Sequence, residues 1–165
     1  MVKRWMSVLL ETYSEQAAVF MKSKTNQFDN PVGATLRRSL EGLYDLLVKD
    51  FDPDRAVPLL DGIIRIRAIQ DFAASDSLAF VFQLKDIIRD ALGKADLDVA
   101  VTQDLERLLH DIDRMALLGF DLYVGCRNQL ADIRIKENER RNHMAWRRAG
   151  FLEEDQIDPP VKTGS

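Results

Sequence analysis

Residues 105–133 read LERLLHDIDRMALLGFDLYVGCRNQLADI. Within them Leu105, Leu109, Ile112, Ala116, Gly119, Tyr123, Cys126, Leu130 and Ile133 recur at steps of four and three without a miss. That period winds one apolar seam along a helix, and such a seam faces a partner helix. Ala116 and Gly119 let the partner's backbone come close, while Leu117, Leu118, Phe120 and Leu122 supply a second apolar face. The pattern leaves open one helix or two, breaking near Gly119 or Gly125.

The rest of the chain reads the same way, so the fold class is all-α with a long C-terminal helix. Trp5, Leu9 and Tyr13 share one face, and Ser14 can cap a second short helix bearing Ala18 and Met21, unless the two form one bent helix. Asn30-Pro31 starts the next helix, because Asn accepts from the first free N–H groups and Pro has none to leave unpaired. Leu36, Leu40, Leu43 and Leu47 then lay an apolar stripe along residues 31–49. Phe51-Asp52-Pro53-Asp54 breaks the chain, and Pro58 is expected to open a helix through Leu60, Ile63, Ile64 and Ile69. Ile63 to Arg67 alternates like a strand, but no second strand exists to pair with it, so helix is preferred. Ser75-Asp76-Ser77 is expected to cap a central buried helix, apolar nearly all round from Leu78 to Leu92 and ended by Gly93.

With 165 residues the chain is one domain with a real core. Twenty-three basic against 27 acidic residues give a net charge of −4, which argues against bulk binding of nucleic acid or anionic membrane. A single cysteine, Cys126, excludes an internal disulfide and any site built from several thiolates of one chain. No segment reaches the ~18 uninterrupted apolar residues that a membrane span needs. The expected home is the cytoplasm, without membrane insertion and without nucleic acid as partner.

Catalytic patterns are missing. There is no glycine-rich phosphate loop, no His-Glu-x-x-His, no paired histidines at metal spacing and no Gly-x-Ser-x-Gly. Asp71, Asp76, Asp86 and Asp90 lack the Glu-x-x-His partners of bundle metal sites, and solvated faces and caps account for them. No enzyme activity, metal or cofactor is therefore expected. His110, beside the seam, is the weak candidate for a haem ligand, and His143 lies outside any packed core. Cys126, on the seam, is a buried small hydrophobe first and a redox candidate second. Arg65 and Arg67 read as a solvated helix face, with anion binding as the rival. From Arg134 to Arg148 six basic residues stand against Glu137 and Glu139, so the helix is expected to leave the domain body there. The basic run and Trp146 suit protein contact better than nucleic acid, since Glu153, Glu154, Asp155 and Asp158 follow at once. Phe151 to Ser165 reads as an irregular tail.

Three strings in order carry a resemblance. Asn30-Pro31-Val32-Gly33 followed by Leu36 to Leu43, Ile66 to Phe72 running into Ser75 to Leu84, and Phe120 to Tyr123 with Cys126-Arg127 resemble the N-terminal domain of RsbR and RsbRD proteins, the RsbT co-antagonists of the bacterial stressosome. The likeness covers roughly residues 1–141, leaving 142–165 as a basic-then-acidic tail. It implies a globin-like helical bundle, usually without haem, that dimerises and serves as a sensory input. In that family the final helix leads into a phosphorylatable STAS domain, whereas here only a short tail follows it, so a stand-alone sensory or regulatory domain is expected. The expected interface, with a second copy and with a protein partner in trans, comprises Ala116, Gly119, Tyr123, Leu130, Ile133, Arg140 and Trp146. The alternatives are a ligand or redox sensor using His110 or Cys126, and an accessory subunit of a larger complex.

Overall fold

Asn30 shows how the chain is turned and locked. Its side-chain oxygen accepts from the Gly33 amide at 2.8 Å, while its side-chain nitrogen donates to the Met21 carbonyl at 3.0 Å. One buried side chain thus caps the helix that follows and ties down the end of the helix before it. Gly33 has to be glycine here, since a Cβ would lie 2.6 Å from the Met21 carbonyl oxygen.

The computed structural model describes residues 1–23, 28–93 and 97–148. Among these it has six α-helices and no strand: α1 (Val2–Leu10), α2 (Glu15–Ser23), α3 (Pro31–Lys49), α4 (Pro53–Ile69), α5 (Ala74–Leu92) and α6 (Val99–Arg148). The fold is all-α, as expected. The first two helices are separate, with Ser14 Oγ accepting from the Ala17 amide at 3.3 Å. Helix α6 runs for 50 residues through both Gly119 and Gly125 without a break. The expected irregular tail from Phe151 lies outside the described residues.

Two expected helix starts need correction. Helix α4 opens at Pro53, where the Asp52 carboxylate accepts from the Asp54 amide at 2.9 Å, and Pro58 lies inside it. Asp52-Pro53 uses the same cap logic as Asn30-Pro31, and the bond missing at Pro58 involves the exposed Asp54. Helix α5 starts at Ala74 after Ala73, with no side-chain cap. Ser77 is buried rather than capping.

The chain divides into two units, Met1–Arg127 and Asn128–Ser165. In the first, α3 lies along α4, α1 meets both α3 and α5, and α4 meets α5. Trp5, Leu36, Leu40, Leu43, Leu60, Ile63, Ile64, Val81 and Leu84 are fully enclosed there. Helix α5 is less central than expected, since Phe82 is half exposed and Gln83, Asp86 and Arg89 form a polar side. The seam of α6 enters the same core. Ile112, Met115 and Ala116 are buried, and a Cβ on Gly119 would lie 2.8 Å from a methyl of Leu78. In the second unit every described residue from 131 to 148 is exposed. No described helix is long and apolar enough to cross a membrane.

Candidate functional site

The joint between α4 and α5, residues 70–73, gathers the polar chemistry of the core. Arg67, from the last turn of α4, is only 1% exposed, which corrects the solvated-face reading. Its guanidinium donates to the Leu9 carbonyl at 3.2 Å, the Thr12 hydroxyl at 2.8 Å and the Asp76 carbonyl at 2.7 Å. It also lies over the Phe72 ring, 4.7 Å from its centroid, and over Tyr13 at 5.5 Å. Its partners are thus carbonyls, a hydroxyl and aromatic faces in place of a carboxylate. Burial pushes the pKa of Arg67 down, opposed by Tyr13 and Asp76, and pushes the Tyr13 phenol up against the pull of Arg67. Arg67 Nε, the Tyr13 hydroxyl and the Ser77 hydroxyl are buried with no hydrogen-bond partner among the described residues.

The same joint is held to α6. Tyr123 donates its hydroxyl to the Phe72 carbonyl at 2.7 Å, and Arg127 forms an ion pair with Asp71. Asp71 has φ +64°, in the left-handed region that few residues other than Gly and Asn enter, and its carboxylate is anchored by that pair. Arg67 therefore joins the end of α1 to the start of α5, and Tyr123 and Arg127 join that corner to α6.

The other expected site residues fall apart from one another. Ala116 and Gly119 pack inside the chain, so the helices facing the seam at that point belong to this chain, Gly119 meeting Leu78 of α5 and Ile64 of α4. Leu130 is half-buried, and Ile133, Arg140 and Trp146 are exposed. His110 and His143 are both exposed, and neither is brought to the other sequence candidates. Cys126 is buried, and burial pushes its thiol up, with Asp61 adding to the shift and Arg65 opposing it. That environment favours the inert thiol over the thiolate that redox chemistry needs. Arg65 is exposed and paired with Asp61 at 3.1 Å. Among the acids, Asp86 pairs with Arg89 and Asp90 with Arg4. No group of three or more His, Cys, Asp or Glu among the described residues is arranged to hold a metal.

Among the described residues, several clefts open on the first unit. One of about 510 Å³ is lined by Leu47 and Phe51 near the end of α3, Ile88 and Leu92 of α5, and Leu105 and Leu108 of α6, with Arg107 and Asp111 at its edge. Another, about 690 Å³, lies by α1 and α3 and carries Lys3, Lys22 and Arg37 against Glu41.

No curated protein and no solved structure matches the chain. A protein-family model does, described as the RsbT co-antagonist protein rsbRD N-terminal domain, over residues 1–137. That span contains the Arg67 corner, its ties to α6 and the first turns beyond Arg127. This helical chain belongs to the family of rsbRD-type N-terminal domains of RsbT co-antagonists, a regulatory family of stressosome-type signalling.

Proposed function

We propose that the chain is a non-enzymatic sensory and regulatory domain of the bacterial cytoplasm, dimeric and without haem, that works through protein contacts. The observation that carries this reading is α6 itself. One unbroken helix joins the Tyr123 and Arg127 clamps to a stretch in which Ile133, Ile135, Met144 and Trp146 are all exposed. Exposed apolar residues on two sides of the helix, Ile133 with Met144 and Ile135 with Trp146, beside basic ones suit a helix that meets other protein chains. A second copy meets Leu130 and Ile133, and a partner in trans reads Arg140 and Trp146. A signal shifts the population of two arrangements of the α4–α5 joint, and α6 reports the shift.

Light scattering at micromolar concentration tests the dimer. Twice the chain mass is expected, with a single-chain mass for Ile133→Glu at unchanged helicity. A wild-type monomer removes the dimer from the reading.

The cleft of about 510 Å³ favours a second version, in which the input is a small molecule. Its volume is in the range of ligand sites, and its wall mixes apolar side chains with the charged Lys49, Asp50, Asp104, Arg107 and Asp111. Native mass spectrometry of protein from its own cytoplasm separates the versions, since a retained mass requires a ligand and a bare dimer requires contact-borne input.

A further inference from the structure

Among the described residues of the first unit, eight arginines and lysines hold a carboxylate in an ion pair. Lys3, Lys22 and Arg37 hold none there, although Glu41 stands one helical turn from Arg37. These three cations come from three helices, α1, α2 and α3, and all line the same cleft of about 690 Å³. With Glu41 as the carboxylate facing them, the cleft carries a net of +2 in a chain whose own net charge is −4. Ion pairing elsewhere in the unit shows that carboxylates are at hand, so the charge left open here is a local feature of the cleft.

The backbone beneath these side chains is fixed. Lys22 follows Met21, whose carbonyl accepts from the buried Asn30 side chain at 3.0 Å, and the same side chain accepts from the Gly33 amide at 2.8 Å, one turn before Arg37. Asn30 thereby sets the spacing between the helices that carry Lys22 and Arg37. Helix α1 is held two residues beyond Lys3, where the Trp5 indole donates to the Phe80 carbonyl at 2.7 Å, and by the buried Met6. The cost of bringing the cations together is thus met by the fold, which leaves only side-chain tips to order. Val2 and Met6 add an apolar wall, and the Ser7 hydroxyl at its edge is already committed to the Lys3 carbonyl at 3.1 Å.

We infer that the cleft between α1, α2 and α3 binds a small organic phosphate, its phosphoryl group held by Lys3, Lys22 and Arg37 and its organic part laid against Val2 and Met6. A single carboxylate is satisfied by one guanidinium and carries one charge, whereas a phosphate monoester offers three terminal oxygens and a charge near −2 at neutral pH. Three cations approaching from three helices, with a net of +2, match the second pattern. Arg37 supplies the planar fork for two of the oxygens, and the lysines act as point charges on the third. The volume lies within the roughly 300–1,000 Å³ of small-molecule sites, which leaves room for an organic group beside the phosphate. The site goes beyond the contact-borne role proposed above and is separate from the cleft at the end of α3.

Calorimetric titration of the full chain with phenyl phosphate tests the site. Saturable binding with a Kd of about 1 mM or below is expected, the affinity of a few charge-assisted contacts and one apolar wall. Inorganic phosphate leaves Val2 and Met6 uncovered and should bind about fivefold more weakly. Benzoate, with the same ring and a single charge, should bind about tenfold more weakly. Lys22→Gln and Arg37→Gln should each weaken phenyl phosphate about tenfold, the loss of one hydrogen bond to a charged group, at unchanged helicity of the free protein. Glu41→Gln removes the opposing carboxylate and should tighten binding about threefold, a gain that no loss of structure produces. Absence of saturable binding, or an affinity that K3Q/K22Q/R37Q leaves intact, overturns the site. Equal affinity for benzoate or for inorganic phosphate overturns the class of ligand. Neither the oligomeric state nor a signalling partner enters these readouts, so failure of the site and failure of the proposed function are separately visible.

Discussion

Arg67 stands at a core position, and the chain surrounds it with acceptors supplied by α1, the turn after it and α5. Arg67→Met keeps the bulk and removes the donors, leaving the Leu9 and Asp76 carbonyls without this partner. A loss of about 2–4 kcal/mol is expected, read as a lower urea midpoint at unchanged slope. Arg67→Lys should recover only part of it, because a point charge cannot serve three separated acceptors. The position was legible in part. Leu60, Ile63, Ile64 and Arg67 follow the i, i+3, i+4, i+7 pattern of a buried stripe, so spacing alone puts Arg67 inside. Its partners come from residues 9, 12 and 76, and no local pattern brings those together. Cys126 gives a prediction of opposite character. Its folded pKa is raised, so the folded chain holds a proton that the unfolded chain releases above about 8.5. Its contribution is intact below that pH and declines as pH rises through the folded value, with Tyr13 acting in the same sense at higher pH. Urea melts at stepped alkaline pH should show the decline, and Cys126→Ala should make it shallower. Alkylation of Cys126 at neutral pH should be slow in the folded chain and fast in urea.

At the scale of the helices, the glycines separate packing from propensity. A methyl at Gly33 meets the Met21 backbone at 2.6 Å, whereas one at Gly125 meets nothing within 4 Å. Gly125→Ala should therefore stabilise by about 0.5–1 kcal/mol, the propensity difference in a helix interior. Gly33→Ala should destabilise despite the same gain, because backbone must move. Thermal melts of the two variants should shift in opposite directions. Helix identities were readable because caps and periods are local. Asn30-Pro31 announces α3 in sequence, and Asp52-Pro53 carries the same signal for α4, obscured by the second proline at 58. The α6 seam was legible as a surface that must meet another helix. Which helix was not, because a stripe at steps of three and four looks the same whether it is covered from within the chain or by a second one. Gly119 against Leu78 and Tyr123 against Phe72 decide that this part is covered from within.

Across the molecule, the α4–α5 joint is the point at which α1, α4, α5 and α6 are tied by polar bonds. Tyr123→Phe removes the hydroxyl that serves the Phe72 carbonyl and should cost about 1 kcal/mol. Its local effect should exceed its global one. Amide exchange is expected to speed up around residues 70–73 and 120–127 while Trp5 and Leu36 remain protected, a pattern of partial opening. The three strings that carry the family likeness contain the cap of α3, the joint and the Tyr123–Arg127 clamp. The boundary of the folded unit was less legible. The sequence suggested 141, the family match ends at 137, and the contacts divide at Arg127 and Asn128. An unbroken helix carries no turn or cap to mark where packing stops, so only burial can.

The chain's two tryptophans lie in opposite surroundings, one in each unit. Trp5 is 0% exposed, and its indole N–H donates to the Phe80 carbonyl at 2.7 Å, whereas Trp146 is 59% exposed near the end of α6. The unlabelled protein therefore carries two optical reporters of different colour. Emission from Trp5 should be blue-shifted and indifferent to iodide, and emission from Trp146 red-shifted and quenched by it. A ligand entering the core and a partner docking on α6 would thus write to separate channels of one fluorescence spectrum.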